Sequence, residues 1–160
     1  MRRPALVIRH SPLATRRSQV PIFAPMNPIL KNLLVVVIAA VVGAMANGLI
    51  VQLGGQVVPP PAGYDFTTEE GLAAGMPMME PKHFLFPFLA HALGTLISAL
   101  IIARFAVSRQ LQWALNVSAL FFMGGVYMVT ILPSPLWFNI IDLVFAYFPM
   151  AFLGYRLGRK

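Results

Sequence analysis

Residues 84–105 read FLFPFLAHALGTLISALIIARF. The stretch holds one formal charge, Arg104, at its far end and one histidine, His91, in its first third. A helix of about 20 apolar residues spans the hydrocarbon core of a bilayer at 1.5 Å rise per residue. Lipid cannot satisfy a free backbone, so such a run must be helical. Three further runs have the same character, at about Ile29 to Leu53, Trp113 to Leu132 and Leu136 to Tyr155. The reading is an all-α, four-transmembrane-helix protein. A bundle of that kind leaves one sizeable piece outside the membrane, the connection over residues 54–83.

Composition agrees. Of 160 residues, 58% are hydrophobic and 11% charged, more apolar surface than a soluble domain of this size can bury. Cysteine is absent, which excludes disulfides, thiol catalysis, iron–sulfur clusters and cysteine-based zinc sites. The net charge of +7 suggests nucleic acid, but its placement argues for topology instead. Arg2, Arg3, Arg9, Arg16, Arg17 and Lys31 precede the first span, Arg104 and Arg109 join the second to the third, and Arg156, Arg159 and Lys160 follow the fourth. The 54–83 connection carries Asp65, Glu69, Glu70 and Glu80 against Lys82 alone. Eleven of the twelve basic residues thus fall on one side, and the positive-inside rule predicts both termini in the cytoplasm. Trp113, Trp137 and Tyr155 stand at span ends, where interfacial aromatics belong.

Residues 1–25 are Arg-rich, acid-free and broken by prolines. They read as a disordered basic arm, with a targeting peptide or an extension ahead of a true start at Met26 as the alternatives. AMA at 44–46 resembles a signal-peptidase site, but the apolar run continues to Leu53, beyond the usual 7–15 residues of a signal peptide's apolar region. In the connection, Pro59–Pro61 is stiff polyproline. Thr67 and Glu70 have the spacing of a capping box, which predicts a short acidic helix through Ala74.

His91 lies about seven residues into the second span, roughly 10 Å below its outer end. Asp142 lies about six residues into the fourth, Asn47 a similar depth inside the first, and Tyr127 about five residues from the outer end of the third. Four spans thus offer one polar group each at matching depth. Helical spacing joins them to small and polar neighbours: His91 with Gly94, Thr95 and Ser98; Asn47 with Ala40, Gly43, Ala44 and Gly48; Asp142 with Asn139 and Ala146; Tyr127 with Asn116, Ala119, Met123 and Thr130. These faces are expected to meet, with His91 donating to Asp142. A lone Asp in a span costs about 2.5–3.5 kcal/mol, so it needs a partner or a proton. Pro149 is expected to kink the lower fourth span. Asn47, His91, Tyr127 and Asp142 are the candidate ligand- or proton-binding residues, with Thr95 and Asn139 behind them.

No zinc set is present, but Met76, Met78, Met79 and His83 form a weak copper candidate, since thioethers and imidazole suit Cu(I). No cofactor is expected. Ser98 and Ser118 lack a nucleophile motif, Gly124-Gly125 follows no strand, and no enzyme activity is read from the chain. Gly154-x-x-x-Gly158 is a helix-packing or dimerisation pattern.

Three stretches, PPPAGYD at 59–65, EPKHFLFPFLAHALGTL at 80–96 and PSPLWFNIIDLVFAYFPMAFLG at 133–154, resemble an uncharacterised family of small bacterial four-span integral membrane proteins. The resemblance covers about residues 26–158, excludes the arm, and implies a bacterial cytoplasmic (inner) membrane but no activity. Four spans are also similar to the small multidrug transporters; those carry their essential acid in the first span, where this chain has Asn47, so that activity is not carried over. Two functional readings remain. One is a binding or transport-type protein with an outward-facing polar site, in the bilayer as a homo-oligomer. The other is a structural or accessory subunit of a larger membrane complex.

Overall fold

The computed structural model describes residues 26–159. The expected basic arm over 1–25, and His10 in it, lie outside the described residues. Within them every element is helical and there is no strand.

Helix α1 covers Pro28–Val57. Asn27 caps it by accepting from the Ile29 amide at 2.9 Å, and Pro28 at the first position loses no bond it would otherwise make. The helix runs past the expected end at Leu53 because nothing in GGQV stops it. It ends ahead of Pro59, where Val58 leaves the helical region, as the residue before a proline tends to do. At 30 residues α1 is about 45 Å long, more than a bilayer core requires.

The connection holds α2, Glu69–Gly75, and two short 3-10 turns, Met76–Met78 and Pro81–Phe84. Thr68, not Thr67, caps α2 by accepting from Gly71 N at 3.1 Å. Thr67 instead gives its amide (2.9 Å) and hydroxyl (2.6 Å) to the Asp65 carboxylate. These bonds hold the Asp65 carboxyl below its ordinary value, with the side-chain bond the larger cause.

Helix α3 covers Leu85–Phe105 and α4 covers Gln110–Ile131. The fourth span is two helices, α5 (Leu136–Phe145) and α6 (Phe148–Gly158). Pro149 explains the interruption: it has no N–H for the Phe145 carbonyl, and its ring crowds that carbonyl. The expected kink is therefore a full break at Ala146 and Tyr147. Taken together, α5 and α6 are one of four helical segments long and apolar enough to cross a membrane.

The hub is α3, which packs on α1, α4 and α6 and touches α5. α1 rests almost wholly on α3 and meets α4 lightly. Small residues set these distances. At the α1–α3 seam a side chain on Gly43 would strike the Ser98 hydroxyl and come within 2.6 Å of the Gly94 carbonyl. The Ser98 hydroxyl donates across the seam to the Ala39 carbonyl at 2.8 Å. At the α3–α6 seam Gly154 lies on Leu96 and Ala99, and Gly158 on Leu100 and Ala103. Gly154-x-x-x-Gly158 thus packs α6 within the chain. Close backbone approach of this kind is how helices adhere in lipid, where apolarity gives no preference between neighbours.

The stripe expected to face inward from α4 does not. Asn116 and Thr130 are exposed, Met123 is 70% exposed and Tyr127 60%. The inward face carries Ala114, Val117, Ser118 and Gly125. Hydrophobic residues surround α4 on all sides, so polar spacing alone picked the wrong stripe.

Candidate functional site

Three side chains converge where α3 meets the break in the fourth span. His91 Nδ1 lies 2.8 Å and 2.9 Å from the two carboxylate oxygens of Asp142. The Tyr147 hydroxyl donates to Asp142 Oδ2 at 3.0 Å and lies 3.2 Å from His91 Nδ1. Asp142 is 3% exposed and Tyr147 2%, whereas the His91 side chain keeps 27% of its surface open. An ionised carboxylate can only accept hydrogen bonds. With Asp142 ionised, Nδ1 of His91 is the donor of this pair, and in the neutral ring Nε2 is then the acceptor.

Local structure explains each position. The Thr95 hydroxyl donates to the His91 carbonyl at 2.8 Å, tying the two along one face of α3. Asp142 lies in the last turn of α5, and its carbonyl accepts the final bond of that helix from Ala146 at 2.9 Å. Tyr147 sits between the helices with φ −111° and ψ −85°. Gly125 makes room for it, since a Cβ there would collide with the Tyr147 hydroxyl and lie 2.8 Å from Cζ. Phe122 meets the Tyr147 ring edge-on at 5.8 Å.

Above this cluster is a cleft of about 370 Å³ between α1, α3 and α4. Its lining includes Asn47 from α1, His91 and Thr95 from α3, Gly124 and Tyr127 from α4, and Tyr147. The side-chain amide of Asn47 and the Nε2 atom of His91 make no hydrogen bond among the described residues. Asp142 stands behind His91 and Tyr147 and does not line the cleft. Of the four principal candidates, His91 and Asp142 are in contact, Asn47 is across the cleft, and Tyr127 lies at the rim with no partner for its hydroxyl among the described residues. Thr95 belongs to the cleft wall. Asn139 does not: it accepts from the Ser134 hydroxyl at 2.6 Å and steadies the turn into α5.

Among the copper candidates, His83 is held by the backbone. His83 Nδ1 accepts from the Glu80 amide at 2.9 Å, and Nε2 lies 3.2 Å from the Pro59 carbonyl, so the ring bridges the two ends of the connection. Met76 is buried and Met78 is 59% exposed.

Two polar positions that the fold uses were not read from sequence. Tyr147 is one; five residues from Asp142, it would lie about 140° away around a continuous helix, and only the break brings the two together. Pro149 was the available signal. Asn32 is the other. It is buried, donates to the Ser108 hydroxyl at 3.0 Å, and accepts from the Val107 amide at 2.8 Å, pinning the α3–α4 turn to α1. That turn holds Arg109 in the left-handed region, φ 50°.

Four helical segments long and apolar enough to cross a membrane mark a multi-pass membrane protein, with an ionisable cluster carried on two of those segments. Comparison with protein-family models, with curated proteins and with solved structures returns no match.

Proposed function

We propose that this chain is a binding or transport-type membrane protein whose site is the cleft over His91. The observation that carries the reading is the division of the imidazole: Nδ1 is committed to a buried carboxylate, while Nε2 is unpartnered in a ring that lines the cleft. A carboxylate behind an imidazole orients it and stabilises the cation formed when Nε2 takes a proton. The volume is at the lower end of the 300–1,000 Å³ typical of small-molecule sites. Most of the lining is apolar, so the ligand is a lipophilic molecule that offers a hydrogen-bond donor to Nε2 and meets the Asn47 amide.

On the charge asymmetry of the spans, both termini lie in the cytoplasm, α2 lies outside, and the cleft is nearer the outer face. The resemblance noted above supports a bacterial inner membrane and membership of that uncharacterised four-span family. Four spans make a thin pore wall, so translocation is expected to need a homo-oligomer.

A second reading has its own support. Asp142 takes two donors, from α3 and from the break, so the cluster also serves as a clasp for an accessory subunit with no chemistry of its own. A bilayer-soluble phenol, with its methyl ether as control, separates the two in ¹⁵N spectra of histidine-labelled protein in lipid nanodiscs. Binding predicts that the phenol shifts the His91 Nε2 resonance, that the ether does not, and that Asn47→Leu weakens the effect. No shift at saturating phenol, or equal shifts from both compounds, refutes the site and leaves the clasp.

A further inference from the structure

A second groove lies on the other flank of the α1–α3 seam. It measures about 620 Å³ and is lined by Lys31, Val35 and Ile38 of α1 and by Ile101, Arg104 and Phe105 of α3. Lys31 is in the first turn of α1 and Arg104 in the last turn of α3, so both cations stand at the same end of the spans. Below them the walls are apolar, and Ile38 and Phe105 are 48% and 61% exposed.

These two cations have no acid to answer them. The chain has five Asp and Glu residues in all. Glu80 pairs with Lys82, and Asp142 with His91. Asp65 accepts from Thr67, and Glu69 and Glu70 open α2 in the connection that leaves the far end of α1. At the Lys31 end, Arg109, Arg156 and Arg159 add further positive charge. No Asp or Glu side chain stands at that end of the spans to supply a counter-charge. A guanidinium fork and an ammonium suit phosphate oxygens, and an apolar trough leading from them suits an acyl chain.

We infer that the α1–α3 groove is a site for an anionic phospholipid, its phosphate between Lys31 and Arg104 and one acyl chain along Val35, Ile38, Ile101 and Phe105. A net-negative headgroup is favoured over a zwitterionic one because no acidic side chain stands there to receive a headgroup ammonium. A basic residue close to a charged bilayer surface contributes about fivefold to anionic-lipid affinity, so the pair is expected to give a preference of about 25-fold.

Native mass spectrometry of the full chain, released from neutral detergent containing equal dioleoyl phosphatidylglycerol and dioleoyl phosphatidylcholine, tests this. Wild type is expected to retain phosphatidylglycerol preferentially. The K31Q/R104Q double variant is expected to lose that preference, and R156Q/R159Q to keep it. The charge-preserving K31R/R104K variant also keeps it, and circular dichroism in the same detergent confirms that all four chains are folded. Equal retention of both lipids by wild type refutes the site. So does a preference that survives K31Q/R104Q, or one lost equally in R156Q/R159Q.

Discussion

The coupling between His91 and Asp142 can be measured. A double-mutant cycle uses Asp142→Asn, His91→Gln and the double variant. Asp142 has three polar contacts of 3.0 Å or less from two donors, His91 Nδ1 and the Tyr147 hydroxyl, and is 3% exposed. Hydrogen bonds to charged groups contribute about 1.5–3 kcal/mol in water-soluble proteins. Cycles between transmembrane helices average about 0.6 kcal/mol and reach about 1.7, because the inserted unfolded chain also finds partners. With Asp142 ionised the pair is charge-assisted, sees both carboxylate oxygens and is part-buried, which places it near the top of that range, about 1.5 kcal/mol. Asn at 142 keeps one carbonyl acceptor for the two donors, so that single variant loses about 1 kcal/mol. Reversible unfolding in mixed micelles, followed by circular dichroism, gives the four free energies. A coupling below about 0.3 kcal/mol, within the additivity of independent sites, refutes the contact. A ¹⁵N spectrum of neutral His91 with the proton on Nε2 refutes donation from Nδ1 to an ionised Asp142.

Three further outcomes follow from other contacts. Gly43→Leu is expected to cost at least about 1–3 kcal/mol, because the side chain meets Ser98 and the Gly94 carbonyl at the α1–α3 seam; unchanged unfolding in the same micelles refutes close packing there. Asn32→Ala leaves the Val107 amide unpaired and is expected to cost about 1–3 kcal/mol while exposing the α3–α4 turn to proteolysis near Arg109; wild-type resistance to trypsin at that turn counts against the pin. Asp65 has a folded-state carboxyl below its ordinary 3.8, so its contribution to the turn before α2 is fully present above that value and disappears as pH falls through the lowered one. The Thr67 amide resonance, followed from about pH 5 to about pH 2, should move in that window, and an invariant resonance refutes the bond.

Some of the site was legible before any coordinates. His91 and Asp142 stood out because an ionisable residue at membrane depth is too costly to leave without a partner, and equal depth on separate spans made them each other's nearest candidate. Asn47 and Thr95 followed from small-residue spacing and do line the cleft. Tyr127 and Asn139 had the same kind of support, and the fold put one at the rim and the other in a local turn. Periodicity misled on α4 because lipid rewards an apolar surface on every side, so the inward face carries no hydrophobic signature of its own.

The sequence by itself determined four helical runs long and apolar enough to span a bilayer, because hydrocarbon length acts on composition alone. Only the tertiary structure decided that α3 is the hub and that α1 stands at its side with a cleft on one flank and a groove on the other. Those choices rest on backbone approach at Gly43, Gly94, Gly154 and Gly158, a matter of shape between helices that no single helix encodes. The break at Ala146 and Tyr147 is of the same kind. Pro149 removes one hydrogen bond locally, but the buried space at Gly125 and the carboxylate of Asp142 determine where the freed tyrosine goes.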